Sequence, residues 1–340
     1  MRIRAFLLSS ILIAAVPIAL FPAPDQGPMP GRIDKGDFAL AYDGQGITAL
    51  AHAKDPYGAQ LFSPGGRMVP VIKYRVPGGD WLDAYRGETR LAASPDGTTL
   101  TYTDSVAGTV LDTVQTFRTD GRVLDWTIEL ATRMAIPVTV GDLAVQIPWQ
   151  FPAGEDPAAI FEKSWTKHHL IAGAGSFLYF VRPNGEPSFL VVTPRPGTSL
   201  EFAAAEDRGG FRAFIHSGLT GGAEKRGTWR QAHSTRELGP AGSPDSRMTA
   251  GFRFRWARSY GEIRDILYDE GLFDIRVVPG MTVPLDLPAQ IALRTKARIE
   301  SLSPEFPDRT KIVDQGEPRP GGRVFRLEFQ RLGENRIKDR

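Results

Sequence analysis

The chain has 340 residues, enough for one large β domain and a second, small one. With 41 Lys and Arg against 39 Asp and Glu, its formal net charge of +2 gives no excess with which to bind nucleic acid or an anionic membrane. Cysteine is absent, which excludes disulfide frameworks, thiolate nucleophiles and cysteine-ligated metals.

The chain begins with a basic stretch, MRIR, then an apolar run, AFLLSSILIAAVPIALF. That order predicts a secretory signal peptide over residues 1–23, followed by a Pro- and Gly-rich spacer over residues 24–36. The alternative is an uncleaved anchor, because the run is near the lower length limit of a spanning helix. Losing Arg2 and Arg4 with the leader would take the net charge to 2 − 2 = 0. The expected mature protein is secreted or periplasmic, with no stable membrane insertion once the leader is gone.

From Asp37 onward, short apolar clusters alternate with turns, as 36 Gly and 27 Pro allow. Asp43-Gly44 marks the first hairpin. Strand candidates follow at regular spacing: MVPVIKYRV, WLDAYRG, TLTYTDS, VLDTVQTFRT, RVLDWTIELA and TVGDLAVQIPW. In the fifth, Leu124, Trp126, Ile128 and Leu130 alternate with polar residues, which is the period of a half-buried strand. An irregular segment, QFPAGEDPAAIFEKSWTKHHL, interrupts the series. Two apolar strands around Asn184-Gly185 then form the strongest hairpin signal. SLEFAAA and FRAFIHS extend the run, and residues 218–246 read as an exposed, Gly-rich loop.

Three kinds of structure meet between Gly251 and Pro284. GFRFRWARS alternates Phe252, Phe254 and Trp256 with arginines, so it is a strand. Ser259 and Glu262 form a capping box that starts a helix with Ile263, Ile266 and Leu267 on one side, and Gly271 ends it. Beyond it, the prolines of FDIRVVPGMTVP forbid a central strand. The predicted fold is mainly β: a large antiparallel β-sandwich of two broad, curved sheets over residues 37–273, with one late helix. A small β module over residues 274–340 follows, with strands in QIALRTKARIESL and GRVFRLEFQRLGEN.

No catalytic constellation announces itself. His168 and His169, with Trp165, Glu155, Asp156 and Glu162 close in sequence, suit a sugar site in which a ring stacks on Trp and carboxylates exchange protons. The competing reading is a solvated loop with Trp165 plugging the sandwich edge. Adjacent histidines lack metal-ligand spacing, so neither metal nor cofactor is expected. Trp126, Trp149 and Trp256 follow the apolar phase of their strands and read as core. Trp81, Trp165 and Trp229 lie in turn-rich segments and are candidates for a sugar-binding surface. The glycines of GAGS and SPGGR match no phosphate-binding loop, and no G-x-S-x-G elbow occurs.

The run WTKHHLIAGAGSFLYFVRPNGE (Trp165 to Glu186), then LVVTPRPGTSLEF (Leu190 to Phe202), VPGMTVP (Val278 to Pro284), IALRTK (Ile291 to Lys296) and FQRLGEN (Phe329 to Asn335), carry a resemblance. Together they resemble the N-terminal part of an uncharacterised family of large secreted bacterial proteins of the glycoside-hydrolase type. The resemblance covers about Gly36 to Ile337. It implies a galactose-mutarotase-like β-supersandwich that normally precedes an (α/α)6 six-hairpin barrel bearing the catalytic carboxylates. No helix-after-helix pattern is present in this sequence, so no catalytic residue transfers, and the expectation is a truncated or split product able to dock a missing barrel. Three readings follow. The first is a non-catalytic domain associated with poly- or oligosaccharide. The second is a mutarotase- or epimerase-like enzyme using His168 or His169 with a carboxylate. The third is a structural or interaction protein of the envelope without a sugar ligand.

Overall fold

The computed structural model describes residues 30–84, 89–104, 109–151, 154, 156–205, 210–224, 232–318 and 320–339. The expected leader, and the part of the spacer before residue 30, lie outside them. The rest of that spacer is a correction. Gly31–Lys35 is the first strand and pairs antiparallel with Phe38–Asp43. Gly36, at φ +59, makes the tight connection, and its α-carbon lies so close to Gly121 that a side chain there would strike backbone. Gly46–His52 completes this three-stranded sheet.

The body is a sandwich of two larger antiparallel sheets. The eight-stranded sheet runs, edge to edge, Thr166–Leu170, Phe177–Val181, Phe189–Pro194, Arg247–Ala257, Val123–Thr132, Leu111–Thr119, Thr99–Asp104 and Thr89–Ala93. The six-stranded sheet runs Phe202–Ala205, Phe211–Ser217, Val138–Ile147, Val69–Arg75 and Leu82–Asp83, with Arg236–Leu238 also paired to Val138–Ile147. The period-two alternation decides which side chains enter the core. Leu124, Trp126, Ile128 and Leu130 from one sheet meet Val138, Val140, Leu143, Val145 and Ile147 from the other, all essentially dry. Phe117, Trp126 and Phe252 stand opposite one another on three neighbouring strands, with Phe117 stacked on Trp126 and Phe252 tilted against it.

The late helix spans Tyr260–Asp269. Ser259 accepts a hydrogen bond from the Glu262 amide at 3.1 Å, as the capping box requires. Glu262 takes its return bond from the Arg258 amide, 2.8 Å, one residue earlier than expected. Ile263, Ile266 and Leu267 cover the outer face of the eight-stranded sheet at Val181, Phe189, Val191 and Ala257. Two shorter helices, Pro157–Lys163 and Thr220–Glu224, were not anticipated. The first follows from Asp156, whose side chain accepts from the Ala158 amide at 3.0 Å, with Pro157 pre-set for the first turn.

After the helix, Asp274–Val278, Ala289–Arg294, Gly322–Phe329 and Thr310–Asp314 form a four-stranded sheet, and Leu302–Pro304 pairs with Ile337–Asp339. Asp274–Val278 is an edge strand, the place its following proline permits. Ala289, Leu293, Phe325 and Leu327 give this sheet its own small core. It is held on the outward side of the helix. Arg264 grips Asp274 with two bonds of 2.8 and 2.6 Å, Arg294 reaches Asp265 at 2.5 Å, and the Arg294 guanidinium lies 4.2 Å over the Tyr268 ring.

Candidate functional site

The residues nominated by sequence do not converge. His168 and His169 sit on an edge strand rather than in a loop, and neighbours on a strand point to opposite faces. His168 lies flat on Tyr179, with ring centroids 4.8 Å apart, on the face that the Tyr260–Asp269 helix shares. His169 sits 5.4 Å from Phe211. On the same face as His169, the Lys167 ammonium lies 3.5 Å from the Phe211 ring centroid, and burial lowers its pKa to about 8. Burial, then the Lys167 charge, also lowers both histidines, and among the described residues neither is hydrogen-bonded to a carboxylate. Trp165 has no exposed surface: its indole donates to the Gln60 carbonyl at 3.0 Å, and Arg182 and Trp256 pack against its ring. It is therefore core and offers no ring to a ligand. Trp229 lies outside the described residues.

Among the described candidates, Trp81 adjoins a polar constellation. Its ring packs against Gly141, where any side chain would collide with it, and the Arg75 guanidinium lies over the same ring, 4.4 Å from its centroid. Leu219 packs on the same glycine. The next residue, Asp142, accepts from the Leu219 amide at 3.0 Å and the Thr220 hydroxyl at 2.7 Å, which anchors the short helix Thr220–Glu224. Asp142 faces Ser217 across the strands.

The register slips twice here, around Gly141 and again opposite Ile215. Such bulges re-aim the residues that follow, and His216 and Ser217 both turn to Glu201, which stands just ahead of the edge strand Phe202–Ala205. Glu201 Oε2 accepts from the Ser217 amide, the Ser217 hydroxyl and the Ser234 amide, each at 2.9 Å. Its Oε1 accepts from the Ser234 hydroxyl. The two His-Ser dipeptides then exchange partners: His216 Nδ1 meets Ser234 Oγ at 3.0 Å, and His233 Nδ1 meets Ser217 Oγ at 2.9 Å. Phe202 borders the cluster, 5.6 Å edge-on to His233 and 5.6 Å from Phe214.

Burial works to raise the Glu201 pKa, but the nearby His216 imidazole, 3.7 Å away, and the hydrogen bonds from Ser234 and Ser217 outweigh it and hold the group to about 2. A carboxylate so stabilised is a poor proton acceptor at neutral pH, so the cluster is built to bind and orient rather than to exchange protons through Glu201. The Glu201 and His216 side chains are 14% and 18% exposed, so the site meets solvent along one rim. Among the described residues no group of three metal-ligating side chains is present.

Sequence reading passed over this cluster because it assigned residues 218–246 to loop. The available signal was the His-Ser pair repeated at 216–217 and 233–234, which includes two of only five histidines.

No family model matches the sequence, and no curated protein matches it. The fold, however, has relatives among solved structures. A polysaccharide lyase superposes over 86% of this chain with a TM-score of 0.57 and 12% identity. This chain spans 42% of that protein's length. The two share a fold, and this chain is thereby an antiparallel β-sandwich protein of the kind carried by that larger molecule. The Slr1438 protein of Synechocystis sp. PCC 6803 superposes over 71% of this chain and 100% of its own, with a TM-score of 0.45 and 12% identity. A galactose mutarotase-like protein from Clostridium acetobutylicum covers 67% and 94%, with a TM-score of 0.41 and 7% identity.

Proposed function

We propose that this chain is a carbohydrate-associated β-sandwich domain that binds saccharide without transforming it. The observation that carries this reading is the Glu201 cluster. There, a carboxylate saturated with hydrogen bonds orients two imidazoles beside Phe202, with Trp81 across the Asp142–Ser217 pair. Aromatic borders with a few fixed polar groups are the composition of a sugar site. The fold shared with a polysaccharide lyase supports the same class of ligand. The resemblance to secreted glycoside-hydrolase-like proteins adds an exported location, with residues 1–23 as the leader, and a role beside a catalytic barrel.

The acid–base reading through His168 or His169 has no carboxylate to work with among the described residues, and Glu201 is too weak a base to replace one. Calorimetric titration with neutral oligosaccharides, alongside an anomer-interconversion assay, tests the proposal. Binding that weakens in Trp81→Ala and His216→Ala, with no turnover, is the expected result. Turnover that Glu201→Gln abolishes would replace the binding reading with an enzymatic one. N-terminal sequencing of exported protein tests the leader.

A further inference from the structure

We propose that Glu201 is a positioning residue: acting through Ser217 and Ser234, it holds His216 and His233 in the Nδ1–H form, so that His216 presents its Nε2 lone pair to a hydroxyl of a bound saccharide. The saccharide part rests on the function proposed above. The tautomer part rests on proton counting alone.

A serine hydroxyl has one proton to give and lone pairs to receive with. Ser217 Oγ stands 2.9 Å from Glu201 Oε2 and 2.9 Å from His233 Nδ1. Ser234 Oγ stands between Glu201 Oε1 and His216 Nδ1 in the same way. An ionised carboxylate only accepts, so each serine proton points to Glu201. The serine oxygen can then only receive from the imidazole, which requires the proton on Nδ1. Both serine amides are committed as well: Ser217 and Ser234 each donate their N–H to the same Oε2, which fixes the backbone that carries each hydroxyl beside Glu201. A neutral imidazole protonated at Nδ1 carries its lone pair at Nε2. In His216 that nitrogen is the ring's remaining polar atom, on a side chain that reaches solvent.

The consequence is a site chemistry that composition does not reveal. A histidine of the opposite tautomer would donate outward and favour a ligand carbonyl, carboxylate or sulfate. His216 set by Glu201 accepts outward and favours an O–H donor, the commonest group on a neutral sugar. The carboxylate thus reaches the ligand through two intermediates, Ser234 and the ring, without touching it.

The test uses the full chain labelled with ¹⁵N and two-bond ¹H–¹⁵N correlation spectra of the imidazoles at neutral pH, with His216→Gln and His233→Gln as assignment controls. Protonated Nδ1 at both rings, with a bare Nε2 at His216, is the expected result. In Glu201→Gln the carboxamide nitrogen must donate to one serine, which turns that hydroxyl and moves one ring to the Nε2–H form. Ser234→Ala releases His216 alone and leaves His233 as an internal check that the site is folded. Nε2–H rings in the unaltered protein, or tautomers unchanged by Glu201→Gln, would overturn the proposal. Titration with neutral methyl pyranosides should shift His216 Nε2, and affinity should fall about tenfold in His216→Ala and Glu201→Gln, the worth of roughly one hydrogen bond. Saccharide that binds without moving His216 Nε2 would remove its role as acceptor. No saccharide binding, with the tautomers as stated, would overturn the carbohydrate reading and leave Glu201's control of the rings intact.

Discussion

Arg182 and Asp55 form an ion pair from which solvent is excluded, with side-chain exposures of 0% and 2%. The pair is fully supplied with further bonds. Arg182 donates to the Glu162 carbonyl at 2.8 Å and the Pro187 carbonyl at 2.6 Å, while Asp55 accepts from the Ala59 amide at 2.7 Å. It ties the loop after Gly46–His52 to the edge hairpin that bears His168. Burial lowers Arg182 to about 10, which leaves it cationic at neutral pH. Asp55→Ala strands that charge and is expected to cost about 3–5 kcal/mol, read from urea denaturation. Asp55→Leu with Arg182→Met should cost less than the single change, since no buried charge is then left over.

Trp126 stacks on Phe117 with centroids 5.1 Å apart and planes 17° apart. Trp126→Ala is expected to cost about 3–5 kcal/mol in thermal or chemical unfolding, since the sheets cannot close over the void. Among the described residues the indole nitrogen has no hydrogen-bond partner. Trp126→Phe should therefore lose less than half as much, and an equal loss would show that a polar contact matters here.

Glu201 supplies a pH signature. Its pKa falls from 4.5 when free to about 2 in the fold, so the stabilisation is fully present above the unfolded value. It is lost as pH drops through the folded value, and its size at neutral pH is roughly 3 kcal/mol. Urea midpoints of the parent and Glu201→Gln should differ near neutrality and converge between about pH 4.5 and pH 2. A gap that stays constant with pH would mean the serines and histidines are held without it.

The Arg264–Asp274 pair joins the last sheet to the helix, with exposures of 15% and 4%. Asp274→Asn should speed amide exchange across residues 274–329 and sensitise them to protease, while Val123–Thr132 keeps its protection. Equal acceleration in both regions would show that the sandwich and the last sheet unfold as one unit.

The sandwich was legible in the sequence because strand alternation is a local property. Leu124 to Leu130 and Phe252 to Trp256 carry their own phase, and burial of that phase is the main force assembling the two sheets. The helix was legible for the same reason, since Ser259, Glu262 and Gly271 mark its ends within a few residues. Gly31–Lys35 was not, because a short strand in a Gly- and Pro-rich stretch becomes a strand only when Phe38–Asp43 pairs with it. The candidate site was decided by tertiary structure alone. Trp165 reads as available in sequence, but in the fold its indole N–H donates to the Gln60 carbonyl, 105 residues away, and its ring is buried. Glu201, Ser217 and Ser234 look ordinary in their own segments. They become a site because two bulges and a returning loop bring their hydrogen bonds to one carboxylate, and long-range proximity of that kind leaves no periodicity to read.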